Sequence, residues 1–369
     1  MKLIYITAKK YPSAKADPFY VQSMARAFAG LLGDDFTFLV RGEVPQELRG
    51  FGAQAVRIPD RLRTACYFFW LPAATVARGW SNEKTVFLSY DPNLLSILIF
   101  WRSVLGFTYR VASDWHQLFD DWRDNYVARH SDYLTTTSER LKQLLVTRCA
   151  ADPERILVAY GGVDPRPFYE KSKISKADLR KSLGLPQDKF LAGYAGYFTS
   201  IGQKKGLDTM IEALPLLPAD IAMVFVGGRK DEIAEYKESA RKHGVEAGCF
   251  FVEKQPFEKL VAYQTAMDVL VIPYPDKPHF RDYGFPMKVW EYMASGRPVV
   301  YSNLAIIREI LGGRGEAFEP GSAASLAASI QAVWQNKERA GQRAAQNSLA
   351  VKAYTWEARA KNMVAFMQK

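Results

Sequence analysis

The chain has 369 residues, of which 48% are apolar and 24% charged, a composition typical of a folded protein with a large core and not of a disordered or fibrous one. The length exceeds that of one ordinary domain and suits two. The formal charge of +10 at pH 7 favours anionic partners such as nucleotides, acidic polymers or an anionic membrane surface, and the dispersed Lys and Arg residues disfavour a nucleic-acid-binding arm.

Short apolar strands alternate with longer amphipathic helices in the first half of the chain. Strands are predicted at residues 3–7, 36–40, 86–89, 109–112, 133–136 and 156–159. Helices such as 20–32 and 138–149 lie between them. The apolar run at the start is too short for a signal peptide and is typical of a first strand. Three widely spaced cysteines, Cys66, Cys149 and Cys249, indicate buried thiols in a reducing compartment.

Two apolar segments, 66–77 and 94–107, come nearest to membrane character. Each is shorter than the ~20 residues that a membrane-spanning helix needs, and the second contains Arg102. Both are therefore predicted to be buried helices. The alternative for the first segment, which follows Arg61 and Arg63, is a helix that lies on a bilayer surface with its basic side chains at the headgroups and its aromatic side chains below.

The same alternation restarts in the second half. Strands are predicted at residues 190–195, 223–226, 249–252, 269–272 and 299–301, with helices at 207–214, 231–242 and 256–266. This pattern predicts βαβ units, so the expected fold class is α/β, with two Rossmann-like doubly wound domains facing each other across a cleft. The polar segment 165–189 is the predicted connection. The predicted domains are 1–170 and 171–351, followed by a final helix, 352–369, that crosses back to the first domain.

A segment near residue 290 has the pattern of an anion-binding helix start. Tyr283 and Gly284 lie in a loop just before Pro286, where a helix is predicted to begin. The positive end of that helix and Lys288 in its first turn favour a phosphate group. Glu291 lies one turn later on the same face, where a carboxylate can accept hydrogen bonds from a ribose. The alternative is an ordinary Lys–Glu pair on a helix surface.

A second anion-binding pattern follows the strand at 190–195. Gly196 opens a loop that contains Lys205 and leads into a helix, so that backbone N–H groups and a mobile cation can surround an anion. The loop lacks both the GKS/T ending of a Walker A motif and a GxGxxG pattern. Gly227 lies in a further loop after a strand. The alternatives are a solvated lysine pair for the first loop and a tight turn for the second.

Joined in this order and spacing, these pieces resemble glycosyltransferases of the GT-B fold, most closely the large family four. The resemblance runs over most of the chain and is strongest from about residue 160 to 356. Each motif is common alone, whereas the ordered set is specific. The motifs are Gly161-Gly162-Val163-Asp164 with Phe168, Gly196 with Lys205-Gly206, Val226-Gly227, Met267-Asp268-Val269 with Pro273, Glu291-Tyr292-Met293-Ala294 with Gly296 and Pro298-Val299, Arg308-Glu309, Phe318 with Pro320-Gly321, and Thr355-Trp356-Glu357.

The resemblance implies a site in the second domain for a nucleotide diphosphate-sugar. In the family, the residue at Glu291 binds the ribose, the residue at Lys205 binds the diphosphate, and the base lies near Lys254. The implied donor-binding set is Gly196, Tyr197, Lys204, Lys205, Gly227, Lys254, Tyr283, Gly284, Pro286, Met287, Lys288 and Glu291. No metal or other cofactor is expected, because lysines and helix starts can neutralise the departing diphosphate.

The resemblance is looser in the first half. His116 follows a predicted strand, where the family places a histidine near the donor sugar and the acceptor, and such a group can polarise a hydroxyl or shuttle a proton. A purely structural histidine is the alternative. The loop after the first strand lacks the family's usual paired glycines, and its Lys10 and Tyr11 are assigned to the acceptor side.

Two departures from the family pattern bear on the chemistry. Tyr197 stands where an arginine often occurs, so Lys204 or Lys288 is expected to supply the missing charge, and Tyr283 replaces the earlier of two glutamates. The sugar and the stereochemical outcome stay open. A retaining reaction is expected, in which the leaving phosphate accepts the proton of the acceptor; for an inverting reaction the candidate base is Asp114.

The implied function is transfer of a sugar from a UDP- or GDP-sugar to a glycan or lipid-linked acceptor, in bacterial surface polysaccharide or glycoconjugate synthesis. The expected location is the cytoplasm, at the inner face of the membrane, with peripheral contact to anionic lipid and no nucleic-acid partner. One alternative is a GT-B nucleotide-sugar epimerase, which would turn over the donor without an acceptor. The others are a two-domain ligand-binding protein and a Rossmann dehydrogenase, which the missing GxGxxG pattern disfavours.

Overall fold

The structure is a computed structural model that describes residues 1–11, 16–44, 46–50, 52–59, 61–283 and 287–369. These residues form two compact units. Unit 1 comprises Met1–Gly162 and Trp356–Lys369, and unit 2 comprises Val163–Thr355. The large sheet of each unit is parallel, which confirms the predicted α/β fold class.

The sheet of unit 1 is built on strand β1, whose near-continuous apolar run is typical of a strand buried on both faces. Its strands are β1 (Lys2–Tyr11), β2 (Phe36–Gly42), β3 (Ala53–Val56), β4 (Thr85–Ser89), β5 (Arg110–Trp115), β6 (Tyr133–Thr136) and β7 (Ile156–Val158). Within the described residues they lie in the order β3-β2-β1-β4-β5-β6-β7. Leu3 of β1 pairs with Phe36 on one side and Val86 on the other, and all three side chains are buried.

Helices connect these strands and cover the sheet. They are α1 (Ala16–Leu32), α2 (Arg63–Ala77), α3 (Pro92–Leu105), α4 (Trp122–His130) and α5 (Glu139–Cys149). Helix α3 begins after Asp91, whose carboxylate accepts hydrogen bonds from the backbone N–H groups of Asn93 and Leu94. It ends at Gly106, which adopts the left-handed φ of 65° that favours glycine at a helix end.

The two apolar segments of unit 1 both form helices, but α3 is buried as predicted only over residues 92–99 and exposes Phe100, Val104 and Leu105. In α2, Tyr67 and Leu71 pack inward, whereas Phe69 on the opposite face is 70% exposed. The prediction of a buried helix is therefore wrong for the outer face of α2, because the segment is apolar on both sides while only one side has the sheet to pack on. No helix in the described part of the chain is long and apolar enough to traverse a bilayer.

Unit 2 contains a second parallel sheet and a small hairpin. Its strands are β8 (Phe190–Ala195), β9 (Thr199–Ser200), β10 (Gln203–Lys204), β11 (Ile221–Gly228), β12 (Cys249–Glu253), β13 (Val269–Ile272), β14 (Val299–Ser302) and β15 (Glu316–Phe318). In the part that the structure describes, the sheet has the order β12-β11-β8-β13-β14-β15, and β9 pairs with β10 in an antiparallel hairpin. Every residue of the central strand β11 is buried.

The helices of unit 2 surround this sheet. They are α6 (Arg166–Ser172), α7 (Lys176–Leu183), α8 (Leu207–Ala213), α9 (Lys230–Lys242), α10 (Phe257–Ala266), α11 (Met287–Ala294), α12 (Ala305–Leu311), α13 (Ala323–Gln335) and α14 (Lys337–Ala350). The last helix, α15 (Trp356–Met367), belongs to unit 1. There the Trp356 ring lies 5.6 Å from the ring of Tyr20 on α1.

The division between the units falls after Gly162, a few residues before the predicted limit at residue 170. Helix α6 groups with unit 2, because Phe168 is buried and its ring contacts that of Phe257 on α10, with centroids 6.3 Å apart. At the other end, unit 2 extends to Thr355, whereas the predicted limit is residue 351. A backbone hydrogen bond of 3.0 Å from Val163 to Tyr354 joins the two ends of the unit.

Candidate functional site

The candidate site begins where strands β8 and β11 of unit 2 end side by side. The N–H of Gly196 donates a hydrogen bond of 2.8 Å to the carbonyl oxygen of Val226. A Cβ atom on Gly227, which has a φ of +115°, would lie 2.4 Å from the Gly196 carbonyl oxygen. No larger residue fits at Gly227 without moving the backbone, so glycine allows the two loops to touch at the carboxyl edge of the sheet.

The β9–β10 hairpin and the start of helix α8 fix Lys205 next to this edge. The Lys205 N–H donates a 3.0 Å hydrogen bond to the carbonyl oxygen of Phe198. Gly206, the first residue after it, has a φ of +82°, and a Cβ atom there would lie 2.0 Å from the Pro273 carbonyl oxygen. The chain therefore turns at Gly206 in close contact with the end of β13, and α8 starts immediately after the lysine.

Helix α11 contributes a lysine and a glutamate that face the same loops. The Lys288 Nζ atom lies 2.7 Å from Glu291 Oε2, and both side chains are largely buried. Glu291 Oε2 also accepts a 2.8 Å hydrogen bond from Gln264 Nε2 on α10. Lys288 packs against the Gly196 loop, since its Cε atom lies 2.4 Å from the position that a Cβ on Gly196 would take. The predicted Lys–Glu pair is thus fixed in the interior of unit 2.

Lys205 is held in an environment that disfavours its charge. Burial, together with the positive charge of Lys288, lowers the pKa of Lys205 to about 7, although Glu291 and Glu232 oppose the shift. The Lys205 Nζ atom lies 5.8 Å from the centre of the Tyr274 ring. Lys205 and Lys288 are partly buried close to each other, and an anion bound at this edge would favour the charged form of Lys205.

A second cluster, in unit 1, surrounds Asp114 and His116 at the end of β5. Asp114 Oδ1 accepts a 2.7 Å hydrogen bond from Arg359 Nη2 and another of 2.7 Å from Thr135 Oγ1. Asp114 Oδ2 lies 3.3 Å from His116 Nε2 and also accepts a hydrogen bond from the Tyr20 hydroxyl. The carboxylate is therefore enclosed by donors, and the His116 ring is oriented by one of its oxygens.

Aromatic rings complete the setting of His116. Its ring lies edge-on to Tyr20, with centroids 4.5 Å apart, and is stacked on Tyr90 with centroids 5.7 Å apart. The Tyr90 hydroxyl lies 3.2 Å from Thr7 Oγ1. The His116 side chain stays 23% exposed, whereas the carboxylate behind it is almost inaccessible. A rigid, partly exposed imidazole at the carboxyl end of a strand suits contact with a bound molecule.

Comparison with known proteins agrees with this architecture. A crystal structure of Anabaena Alr3699/HepE in complex with UDP superimposes with a TM-score of 0.77 at 14% sequence identity, covering 100% of both chains. The same Anabaena protein in complex with UDP-glucose gives a TM-score of 0.72 at 14% identity, covering 100% of this chain and 99% of that one. Residues 189–336 match the sequence model of the family described as Glycosyl transferases group 1. The fold is therefore that of the GT-B glycosyltransferases, and residues 189–336 resemble the group 1 family.

Curated relatives point to the same group. A D-inositol 3-phosphate glycosyltransferase of Stackebrandtia nassauensis is 27% identical over 188 residues, which cover 48% of this chain and 40% of that protein. The lipopolysaccharide core biosynthesis mannosyltransferase LpsB of Rhizobium meliloti is 26% identical over 266 residues, covering 69% of this chain and 68% of LpsB. The chain thus aligns with only two fifths of the length of the inositol-phosphate enzyme.

The structure separates Lys204 from the cluster of Lys205, Lys288 and Glu291. Its Nζ atom is ion-paired with Glu235 of α9 and lies 3.9 Å from Asp208 of α8, and the side chain is 44% exposed. The sequence pattern left Lys204 and Lys288 as alternatives for the charge missing at Tyr197. Of the two lysines, Lys288 is the one that packs against the Gly196 loop.

Two of the remaining predicted donor residues, Lys254 and Tyr197, contact each other. Lys254 Nζ is 5.0 Å from the centre of the Tyr197 ring, and Tyr197 is 39% exposed. Tyr283 ends a turn of π-helix, His279–Tyr283, and Met287 begins α11. The predicted Gly284 and Pro286 lie outside the described residues.

The surroundings of Asp114 keep its carboxylate ionised and occupied by hydrogen-bond donors. Burial on its own would raise the pKa of Asp114, but the charges of Arg359 and His116 outweigh burial and hold that pKa well below its usual range. A carboxylate that is buried, ionised and saturated with donors has little tendency to take a proton. Asp114 lies next to His116 and orients its ring, and its role as the base of an inverting reaction stays a prediction.

Arg359 and Gln264 are site residues that the sequence reasoning missed. Arg359 is only 3% exposed, lies on the last helix and also donates a 3.1 Å hydrogen bond to the carbonyl oxygen of Tyr160. A signal was present, because Arg359 follows Trp356 by three positions and precedes Met363 by four, which places it within the apolar stripe of α15. A charged residue in such a stripe indicates a buried partner.

Lys10 lies at the end of β1 beside an open depression of unit 1. The depression has a volume of about 390 Å³ and is lined by Lys10, Arg41 and Arg57 together with apolar residues. Arg41 is buried, and its Nε atom donates a 2.8 Å hydrogen bond to the carbonyl oxygen of Ala8. Tyr11 is the last residue of β1, and its side chain lies outside the described part of the chain.

Proposed function

We propose that this chain transfers a sugar from a nucleotide diphosphate-sugar to a glycan or lipid-linked acceptor. The observation that carries the proposal is the buried cluster of Lys205, Lys288 and Glu291 at the carboxyl edge of the unit 2 sheet, where α/β proteins bind their ligands. Its surplus positive charge suits a diphosphate, and the carboxylate suits a ribose. The Anabaena structures contain UDP and UDP-glucose, which supports the same class of donor.

In this proposal each residue of the cluster has a separate task. Lys205 and Lys288 neutralise the diphosphate, on which negative charge grows as the bond to the sugar breaks. Glu291 accepts hydrogen bonds from the ribose, and its Gln264 hydrogen bond fixes its orientation. Tyr197 and Lys254 lie on the side of the nucleobase. The two lysines carry the neutralising charge in place of a divalent metal.

His116 serves the reacting end of the donor in this proposal. The bond from the sugar to the diphosphate breaks, a bond from the acceptor oxygen to the same carbon forms, and the acceptor proton passes to a phosphate oxygen. Because Asp114 is ionised and enclosed by donors, we assign the retaining outcome and no separate protein base. His116 orients the sugar and the incoming hydroxyl, and Asp114 with Arg359 holds its ring in place.

The basic charge of one depression in unit 1 and the function of one relative support the class of acceptor that we propose. LpsB acts in lipopolysaccharide core biosynthesis, which supports a bacterial surface glycan as the product. Such a reaction places the protein in the cytoplasm at the inner face of the membrane. The basic depression beside Lys10 and Arg57 supplies a site for an anionic group, so we propose that the acceptor carries a phosphate or a carboxylate.

A screen of UDP- and GDP-sugars by calorimetry tests the donor proposal. One of them is expected to bind, and Glu291→Gln is expected to weaken that binding at least about tenfold, because the amide loses the charge that strengthens the ribose hydrogen bonds. Glu258→Gln on the exposed face of α10 removes a comparable charge and should leave affinity unchanged. Equal affinity in both variants contradicts the site. Release of UDP or GDP without any acceptor product points to an epimerase or a hydrolase.

The acceptor proposal has its own test. The double variant Lys10→Ala/Arg57→Ala is expected to raise the KM for a phosphorylated lipopolysaccharide core acceptor about tenfold or more, since two cations facing the anion are lost. The KM for the same acceptor after phosphatase treatment and the affinity for the sugar donor should both stay the same. Lys84→Ala, an exposed lysine elsewhere in unit 1, is the matched control. An unchanged KM in the double variant excludes the depression as the acceptor site.

A further inference from the structure

Large apolar side chains point into solvent along one surface of unit 1, on α2 and at the end of α3. We name this the α2–α3 surface and define it by six side chains that are between 40% and 70% exposed. They are Leu62, Phe69, Val76, Phe100, Val104 and Leu105. Single exposed apolar residues are normal in soluble proteins, whereas a group on two adjoining helices marks an interaction site.

The outward face of α2 is apolar along its whole length. Residues 62, 65, 69, 73 and 76 repeat every three or four positions, so they share one face of the helix, and all five are exposed. They are Leu, Ala, Phe, Ala and Val. The opposite face, with Tyr67, Leu71 and Ala74, is buried. A surface helix of an ordinary soluble domain carries polar residues on its outer face, and α2 does not.

The α2–α3 surface is held in a fixed shape by aromatic packing. The Phe68 ring lies 5.4 Å from Phe100 and 5.0 Å from Trp101, which joins the two helices. Trp101 Nε1 donates a 2.7 Å hydrogen bond to the carbonyl oxygen of Phe68. Phe68 also contacts the exposed Phe69, with ring centroids 5.3 Å apart. The exposed side chains therefore stand on a packed layer of aromatic rings.

Basic residues flank the surface, and acidic residues are missing from its helices. Residues 61–78 include Arg61, Arg63 and Arg78 but no Asp or Glu, and α3 contains Arg102 but no acidic residue. An apolar face bordered by arginines is the pattern of a helix that lies in the plane of an anionic bilayer, with aromatic side chains below the headgroups and guanidinium groups among the phosphates.

We infer that the α2–α3 surface docks on a membrane containing anionic phospholipid. A second copy of the chain fits less well, because its own α2 and α3 carry the same arginines and no carboxylate, and Arg102 is already ion-paired with Asp132. Docking buries Phe69, Val76 and the end of α3 in the boundary between headgroups and acyl chains. This inference goes beyond the proposed sugar transfer and does not depend on it, since it concerns lipid contact in the absence of donor and acceptor.

Vesicle binding by the full chain tests the inference. The wild type is expected to co-sediment with vesicles of phosphatidylcholine and phosphatidylglycerol in a 7:3 ratio, and to bind pure phosphatidylcholine vesicles at least about tenfold more weakly. The variant Phe69→Glu/Val76→Glu is expected to lose about tenfold or more of the affinity for the anionic vesicles. Leu349→Glu is the matched control, because Leu349 is an apolar residue of α14 that is 66% exposed, and it should bind like wild type.

Companion measurements separate lipid docking from self-association and from loss of donor binding. Arg61→Ala/Arg63→Ala should abolish the preference for phosphatidylglycerol while leaving the thermal unfolding temperature unchanged. Calorimetry with the nucleotide-sugar and no vesicles should give wild-type affinity for all these variants, so that failure of docking and failure of the donor proposal are distinguishable. Wild-type vesicle binding by Phe69→Glu/Val76→Glu overturns the inference. So does a wild-type dimer in size-exclusion chromatography that this variant dissociates, because the surface then serves a second copy.

Discussion

Replacing Arg359 with methionine is expected to lower the free energy of unfolding by about 3 to 5 kcal/mol, because it leaves a buried carboxylate without its cation. Arg359 and Asp114 are 3% and 4% exposed, and their closest atoms are 2.7 Å apart. Methionine keeps a straight side chain of good helix propensity, so α15 itself should tolerate the change. Thermal and urea unfolding of the purified variant measure the loss.

The pH dependence of stability identifies the cause. In the intact protein the pKa of Asp114 lies below its usual value, so the stability contributed by the carboxylate is present above about pH 4 and is lost as pH falls through the folded-state pKa. Without Arg359, burial dominates and raises that pKa above its usual value. The protonated form is then the stable one, and stability falls as pH rises. The deficit of Arg359→Met should therefore be largest near neutral pH and shrink towards pH 4.

Two control variants make this prediction specific. Lys361→Met removes a charge from the exposed face of the same helix and should cost little. The double variant Asp114→Asn/Arg359→Met removes both buried charges, so that no unpaired carboxylate stays buried. It should be more stable than Arg359→Met at pH 7, although it has one charged side chain fewer than that variant. The prediction is wrong if Arg359→Met loses no more than about 1 kcal/mol of unfolding free energy beyond the loss in Lys361→Met, or if its loss does not depend on pH. Either result shows that the ion pair between Arg359 and Asp114 does not stabilise the fold.

Interior strands were the most predictable part of the fold. The predicted strands at 190–195 and 269–272 coincide with β8 and β13, because strands buried on both faces leave uninterrupted apolar runs. Strands β3 and β15 were not predicted. Both end their sheets, and β3 exposes two of its four residues while β15 has three residues in all. Each contains only one bulky apolar residue, which is too little to recognise from sequence, whereas the short edge strand β7 is apolar throughout and was predicted.

Local spacing predicted one contact of the candidate site and missed the others. Lys288 and Glu291 are three positions apart on one helix, so their pairing follows from helical geometry. Gln264 reaches the same carboxylate from α10, and Arg359 reaches Asp114 across 245 positions of sequence. Such pairs arise from how the helices pack on the sheet, and no local pattern encodes them. For the same reason, no local pattern in the sequence reveals the donors that enclose Asp114.

Donor affinity is expected to fall as pH rises above about 7 in the wild type, because Lys205 loses its proton there. Below this pH Lys205 is protonated, and its full positive charge is available to bind the diphosphate. Above about pH 7, Lys205 must take up a proton before it can bind the diphosphate as a cation. The affinity for a UDP-sugar should therefore fall by up to about tenfold per pH unit, until the pH reaches the pKa of Lys205 in the complex. The diphosphate of a UDP-sugar is a diester without a titrating proton in this range, so the change belongs to the protein.

Two other titratable groups near Lys205, His279 and Tyr274, do not produce this window. The charged side chains of Lys288, Glu291 and Glu232 also lie near it. Burial and the charge of Lys205 lower the pKa of His279 below 6.5, so its proton is lost before pH 7 is reached. Burial raises the pKa of Tyr274 far above the window. The lysine is thus the group whose charge changes between pH 7 and pH 9.

Removing the Lys205 charge gives the decisive comparison. Lys205→Met is expected to reduce kcat/KM for the donor by about 100-fold or more at pH 7, the usual effect of losing one group that stabilises transition-state charge. Its donor affinity should also be flat from pH 7 to pH 9, in contrast to the wild type. Lys237→Met, which removes a charge from the exposed face of α9, should keep both the rate and the pH profile. If the donor affinity of Lys205→Met keeps the wild-type pH profile, another residue titrates in this range and Lys205 is not part of the diphosphate site.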